Sequence, residues 1–217
     1  LTDQEQKYRQ RYLDLISNDE SKKVMIGRSK TMTFIRKFLT ENGFMEVETP
    51  ILQSAVCGAS AKPFFTKHNA LNKMCNLRIA PETYLKQVIA SGFDKVFELG
   101  KVFRNEGMDT QHLQEFTMCE WYASYWNFED NVKFFQKFIR SLLTEILGTT
   151  TLEYEGHTLD FGKEWERIDY TAKMREILGF DFLEYEDRNE LVMAIEKTGL
   201  FKAEDFDGIK TCGGVID

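Results

Sequence analysis

The sequence has few of the residues that build metal sites and covalent frameworks, with three histidines and four cysteines among 217 residues. Cys57, Cys75, Cys119 and Cys212 lie far apart, with no CxxC pair and no Cys/His pair at zinc-ligand spacing. Reduced thiols and no metal site are therefore expected. His68, His112 and His157 each lack a histidine four residues away, which argues against a histidine-rich metal site. No run of 18 uncharged apolar residues occurs, and the opening "LTDQEQKYRQRY" has no apolar signal region. No membrane span and no secretion signal are expected, which places the protein in the cytoplasm. Positive charge is not in excess either, because the formal net charge is -7. Such a chain releases few counterions from phosphates and is a poor non-specific binder of nucleic acid.

What is present suffices for one main domain and a small appendage, since 42% of the residues are hydrophobic. The acidity sits mainly in the tail. Residues 1 to 40 hold nine Lys/Arg against five Asp/Glu, whereas 151 to 217 hold eight against seventeen. "SKKVMIGRSKTMTFIRKFLTE", 21 to 41, spaces Val24, Ile26, Phe34, Ile35, Phe38 and Leu39 as one helix face, with Ser21 as the expected cap. Gly43 of the following "NG" supplies the stop. "FMEVETP" alternates at period two until Pro50, which suits an edge strand or a strand end.

"QSAVCGASAKPFF", 53 to 65, is rich in small residues and reads as a loop that lets backbone approach something closely. "NLRIAPETYLKQVIASG" reads as a strand, a turn at Pro81 and a helix from Glu82 to about Ala90. "DKVFELGKVFR" and "EFTMCEWYASY" are two strands of a hairpin with a tip of about ten residues. A helix is expected from Asn131 to Leu147, apolar at Val132, Phe135, Phe138, Ile139, Leu142, Leu143 and Ile146. "TTTLEYEGHTLDF" reads as a hairpin, and helices follow near Tyr170 to Leu178 and Glu190 to Thr198. The chain stops at "TCGGVID" with no obvious closing element.

The long hairpin carries the chemistry. Side chains alternate along a strand, so Phe116, Met118, Glu120 and Tyr122 share one side, which hairpin pairing can align with Glu98, Gly100, Val102 and Arg104. One face then holds an arginine, a carboxylate, a phenol and an aromatic ring. Buried charges of this kind need partners, because an unpaired buried ion costs several kcal/mol. Internal pairing of Arg104 with Glu120 or Glu106 and contact with a ligand are both open at this point. Gly100 leaves room on the same face, which suits a ligand that is anionic, cationic and planar in different parts.

"FRNE" at 103 to 106 followed by "HLQEF" at 112 to 116 resembles motif 2 of the class II aminoacyl-tRNA synthetases, and "SKTMTFIRKFLTENGFMEVETP" resembles motif 1. "RQRYLDLI", "GASAKPF", "RIAPETYLK" and "EFTMCEWY" together resemble the lysyl-tRNA synthetase family, almost without gaps from about Tyr8 to Gly148. The resemblance implies an α+β fold with a mixed, mostly antiparallel sheet flanked by helices. Residues 1 to 217 would form a truncated, partial catalytic domain with motif 1 at about 21 to 50, motif 2 at about 95 to 125 and an acidic part at 151 to 217. The anticodon-binding domain and the glycine-rich motif 3 would be absent, so a fragment inactive by itself is expected.

The implied activity is ATP-dependent activation of lysine to lysyl-adenylate and transfer to tRNA(Lys). The resemblance makes Arg104 the catalytic residue, binding the α-phosphate of ATP and bridging to the amino-acid carboxylate. It places Arg104, Asn105, Glu106, His112, Leu113 and Phe116 at ATP, with the Phe116 ring under adenine. It places Gly58, Glu82, Arg104, Glu120 and Tyr122 around lysine, Glu82 holding the α-amino group and Glu120 with Tyr122 the side-chain ammonium. Mg²⁺ is implied for the full-length enzyme with ligands outside this chain, as is a homodimer through motif 1. The family commonly reads His-Asn-Pro-Glu-Phe where this chain has His112, Leu113, Gln114, Glu115 and Phe116, and glycine where it has Cys57. A relative of the same fold that lysylates a protein, and a truncated non-catalytic paralogue that dimerises or binds ligand, are the alternative readings.

Overall fold

Asp3 accepts hydrogen bonds from the backbone N–H groups of Glu5 and Gln6 and so caps α1 (Gln4–Arg9), which α2 (Arg11–Ser17) follows. The computed structural model describes residues 3–109 and 111–217. Asn18, in extended conformation, accepts from Glu20 N–H and caps α3 (Asp19–Glu41). Ser21, the expected cap, lies inside the helix instead, with its side chain hydrogen-bonded to Asp14. Hydrogen bonds from Ser21 and then Asn18 hold the buried Asp14 carboxyl below its usual range.

The apolar face of α3 is shorter than its sequence pattern. Ile35, Phe38 and Leu39 are buried, whereas Val24 and Ile26 are 69% and 56% exposed. Gly43, at φ 82°, takes the left-handed conformation that ends the helix, and Phe44 N–H reaches back to Leu39 O at 3.0 Å. β1 (Met45–Glu46) is the expected edge strand, reduced to two residues, and pairs in parallel with a later strand.

β2 (Leu52–Gln53), β3 (Phe65–His68) and β4 (Lys73–Leu77) form an antiparallel sheet in the order β2-β4-β3. The small-residue segment between β2 and β3 is a loop, as expected. Pro81 then starts α4 (Glu82–Ala90). β5 (Lys95–Phe103) and β6 (Glu115–Ala123) are the two strands of the long hairpin and complete a sheet in the order β1-β5-β6.

α5 (Phe128–Leu147) begins three residues before Asn131 because Asn127 and Asp130 form a reciprocal capping box. This helix turns Phe134 and Phe138 into the core and leaves Phe135 43% exposed, so Phe134 takes the place expected for Phe135. One side of the hairpin packs here: Phe97, Leu99, Cys119 and Trp121 join Phe38, Phe44, Phe134 and Phe138. Edge-on and tilted ring pairs such as Trp126–Phe134 at 5.0 Å and Trp121–Phe138 at 5.7 Å fill it. β7 (Thr151–Tyr154) and β8 (His157–Asp160) form the expected short hairpin, turned by Glu155 and Gly156 at φ 48° and 80°.

A second unit runs from Lys163 to Asp217, so the break in packing falls at Gly162 rather than at residue 151, where the acidic composition begins. It contains α6 (Tyr170–Leu178), α7 (Arg188–Glu196) and α8 (Cys212–Ile216). α7 starts two residues before Glu190 because Asp187 caps it, accepting from Asn189 and Glu190 N–H. The "TCGGVID" end does close on something: α8 buries Val215 in a core with Leu178, Phe182, Leu191, Val192, Ile195 and Phe206. The described residues thus form an α+β fold of small, mostly antiparallel sheets flanked by helices.

Candidate functional site

The hairpin register pairs Val96 with Tyr122, Glu98 with Glu120, Gly100 with Met118 and Val102 with Phe116. Directly opposed residues share a face, so these eight residues present one side of the sheet and the aromatic core lies on the other. Arg104 follows the last residue of β5, and its N–H still donates to Gln114 O at 2.8 Å. The face therefore extends from Tyr122 at one end to Arg104 at the other.

The Tyr122 end is acidic. Burial pushes the Glu120 carboxyl above its usual value, the charges of Glu82 and Glu98 push it further, and the Tyr122 hydrogen bond and Arg104 oppose them. The Tyr122 phenol is pushed up to about 12, first by burial and then by Glu120 and Glu82. Oε2 of Glu120 is buried with no hydrogen-bond partner in the protein. Glu82, on the first turn of α4, accepts from Lys86 Nζ at 2.5 Å, and that ammonium stands 5.8 Å from the centre of the Tyr122 ring. Gly58 comes close at φ 87°, where an added Cβ would lie 3.4 Å from the Cβ atoms of both Ala80 and Glu82. The four residues expected to surround an amino acid besides Arg104 thus converge on one region.

At the other end, the Arg104 guanidinium carbon stands 5.3 Å from the centre of the Phe116 ring. Its Nε is buried and has no hydrogen-bond partner. Arg104, Glu106, His112, Leu113 and Phe116, with Gly107 and Gln111, line a cavity of about 300 Å³. Asp109 holds the His112 side of the loop, accepting from the N–H groups of Gln111 and His112 at 2.7 Å, and its Oδ2 lies 2.7 Å from His112 Nδ1. The Gln111 backbone bond, then the His112 ring and backbone bonds, keep the Asp109 carboxyl below its usual range. Asn105 is outside the cavity lining and donates its backbone N–H to Lys62 O at 2.7 Å.

The internal partner left open by the sequence is resolved differently from either pairing considered. Arg104 forms an ion pair with neither Glu120 nor Glu106 among the described residues, and the buried pair is Arg78 with Glu98. Arg78 is 1% exposed, donates Nε–H to Lys101 O at 2.8 Å and Nη1–H to Thr49 Oγ1 at 3.0 Å. Thr49 donates its hydroxyl to Glu98 Oε2 at 2.6 Å. Gly100 belongs to this pair: a Cβ there would collide with an Arg78 Nη atom. The space read as room for a ligand is therefore filled by Arg78, a residue that the hairpin pattern could not reveal because it arrives from β4's end.

A family model described as tRNA synthetases class II (D, K and N) matches residues 3–206, and the chain belongs to that family. Curated relatives narrow the likeness. The lysine–tRNA ligase of Roseiflexus sp. (strain RS-1) is 46% identical over 200 residues, covering 92% of this chain and 41% of that protein. The lysine–tRNA ligase of Actinobacillus pleuropneumoniae serotype 5b (strain L20) is 53% identical over 168 residues, 77% of this chain and 34% of its own. That of Haemophilus influenzae (strain PittGG) is 53% identical over 176 residues, 80% and 35% respectively. The chain spans less than half the length of these relatives.

Proposed function

We propose that this chain supplies part of the active site of a lysine-specific, ATP-dependent tRNA ligase, which forms lysyl-adenylate and passes the lysyl group to tRNA(Lys). The observation that carries the reading is the pair of buried, unpartnered groups on one face, Arg104 Nε and Glu120 Oε2. Buried polar groups are ordinarily hydrogen-bonded, so an open donor and an open acceptor call for a ligand with the opposite groups. Zwitterionic lysine, with a carboxylate toward the arginine and ammonium groups toward the acids, has them. The relatives' names point the same way.

In this reading Arg104 bridges the lysine carboxylate and the α-phosphate, neutralising charge as carboxylate oxygen attacks phosphorus and pyrophosphate leaves. Phe116 supports the adenine, with Asn105, Glu106, His112 and Leu113 around the nucleotide. Glu82 holds the α-ammonium and Gly58 lets backbone approach it. Glu120 and Tyr122 take the side-chain ammonium, and Lys86 on Glu82 already places one ammonium against this acidic end. Mg²⁺ would accompany ATP in the full-length enzyme, with its protein ligands outside this chain. Among the described residues no helix is long and apolar enough to cross a membrane.

Glu120→Gln tests the amino-acid half. The exchange is nearly isosteric, so the fold and ATP affinity should survive while the ammonium loses its charged partner, a penalty of about 2 to 5 kcal/mol. Calorimetric titration of the full-length protein should show lysine weakened by about thirtyfold or more, the low end of that range. The pH dependence has a definite sign. Because the folded carboxyl titrates above its ordinary value, lysine affinity should fall as pH drops through that raised value, and Glu120→Gln should lack this limb. Lysine bound equally by parent and variant would remove Glu120 from the pocket.

A homodimer through the element at 21 to 50 is part of the proposal. Val24, Met25 and Ile26 are exposed on α3, with Tyr8, Tyr12 and Ile16 exposed just before it. Such an apolar group has a reason to meet its symmetry mate. Light scattering at tens of micromolar, roughly where a standard-sized interface associates, should report a dimer. Monomer alone at that concentration would contradict the assignment.

A further inference from the structure

We propose that Glu106, placed by resemblance at the nucleotide, is also a positioning residue for the amino-acid end, acting through Lys62; the proposal rests on the functional reading above. Glu106 Oε1 accepts the Lys62 backbone N–H at 3.3 Å, and Lys62 O accepts the Asn105 N–H at 2.7 Å. The loop that carries Gly58 is thereby clasped through both backbone groups of one residue to the start of the 104–114 segment. At its other end the same loop lays Gly58 against Ala80 and Glu82. A single stretch of chain thus touches both halves of the site.

Gln114 braces the clasp. Its Nε2 donates to Glu106 O at 3.0 Å while its own O accepts Arg104 N–H at 2.8 Å, which holds residues 104 to 106 against the returning strand. This is the position at which the chain departs from the proline of the family's pattern, and a proline has no side-chain donor to offer. In this chain the departure adds a hydrogen bond. The consequence is coupling: loosening Glu106 frees Lys62, and a freed loop no longer holds Gly58 where lysine would meet it. A local arrangement of this kind transmits only what its hydrogen bonds are worth, so the effect should be modest and specific.

The test separates acceptor from charge. Glu106→Ala removes the acceptor, whereas Glu106→Gln keeps an oxygen that accepts the same N–H and removes only the charge; Glu106 is exposed, so neither change threatens the fold. Lysine is titrated calorimetrically without ATP into full-length parent and variants, and amide hydrogen exchange is followed at Lys62. Glu106→Ala should weaken lysine by about three- to tenfold and speed Lys62 exchange by a similar factor, the value of one net hydrogen bond. Glu106→Gln should stay within about twofold of the parent in both. Unchanged lysine affinity in Glu106→Ala, or equal weakening in both variants, would overturn the proposal. A parent that bound no lysine would sink the functional reading instead, and unchanged Lys62 exchange in Glu106→Ala would then overturn the clasp as well.

Discussion

Arg104→Ala in the full-length protein is expected to lower lysine-dependent ATP–pyrophosphate exchange by about a hundredfold to a thousandfold, the usual consequence of removing one preorganised donor from a charge-developing centre. The fold should not share in the loss. Arg104 Nε makes no hydrogen bond inside the protein, Arg104 forms no ion pair among the described residues, and its guanidinium lies over the Phe116 ring. Thermal unfolding of the variant should therefore stay close to the parent. Arg104→Lys should recover little, because a point charge lacks the planar fork that spans a carboxylate and a phosphate. Exchange within a few-fold of the parent would show that Arg104 does not touch the reacting groups.

Arg78→Met is expected to produce the largest loss of stability, about 3 to 5 kcal/mol, because it leaves Glu98 buried without its counter-ion. The side chain that replaces the guanidinium fills comparable space, so the cost comes from charge and from the bonds to Lys101 O and Thr49 that disappear. Adding Glu98→Gln should restore much of it, since the orphaned charge is then gone. Denaturant midpoints of the parent, the two single variants and the double variant form the required cycle. There is a functional corollary. Glu98 already raises the Glu120 carboxyl, so removing Arg78 should move the acid limb of lysine binding to higher pH. A single variant as stable as the parent would mean the pair contributes nothing to the fold.

The hairpin face was legible because period two leaves little freedom: once β5 and β6 pair, Phe116, Glu120 and Tyr122 must share a side with Glu98 and Gly100. Arg78 was not legible, since its burial depends on a glycine 22 residues away in sequence that makes room only after the strands assemble. Ser21 and Asn18 are equally good caps by residue type, so the pattern alone could not say that Asn18 takes the role. Phe134 and Phe135 are adjacent rings of the same type, so residue type alone did not say which of them the helix turns into the core. The Lys62 clasp joins positions 44 residues apart through a backbone N–H, which leaves no pattern in side-chain type.

The central claim is that this face selects lysine, and amino-acid-dependent ATP–pyrophosphate exchange by the full-length protein tests it most directly. The family model spans D, K and N enzymes, so aspartate and asparagine are the competitors that matter. Exchange supported by lysine and not by aspartate or asparagine, with the lysine signal lost in Arg104→Ala and its half-saturation raised in Glu120→Gln, is the predicted result. Exchange supported by aspartate or asparagine, or by lysine equally well after Glu120→Gln, would contradict it.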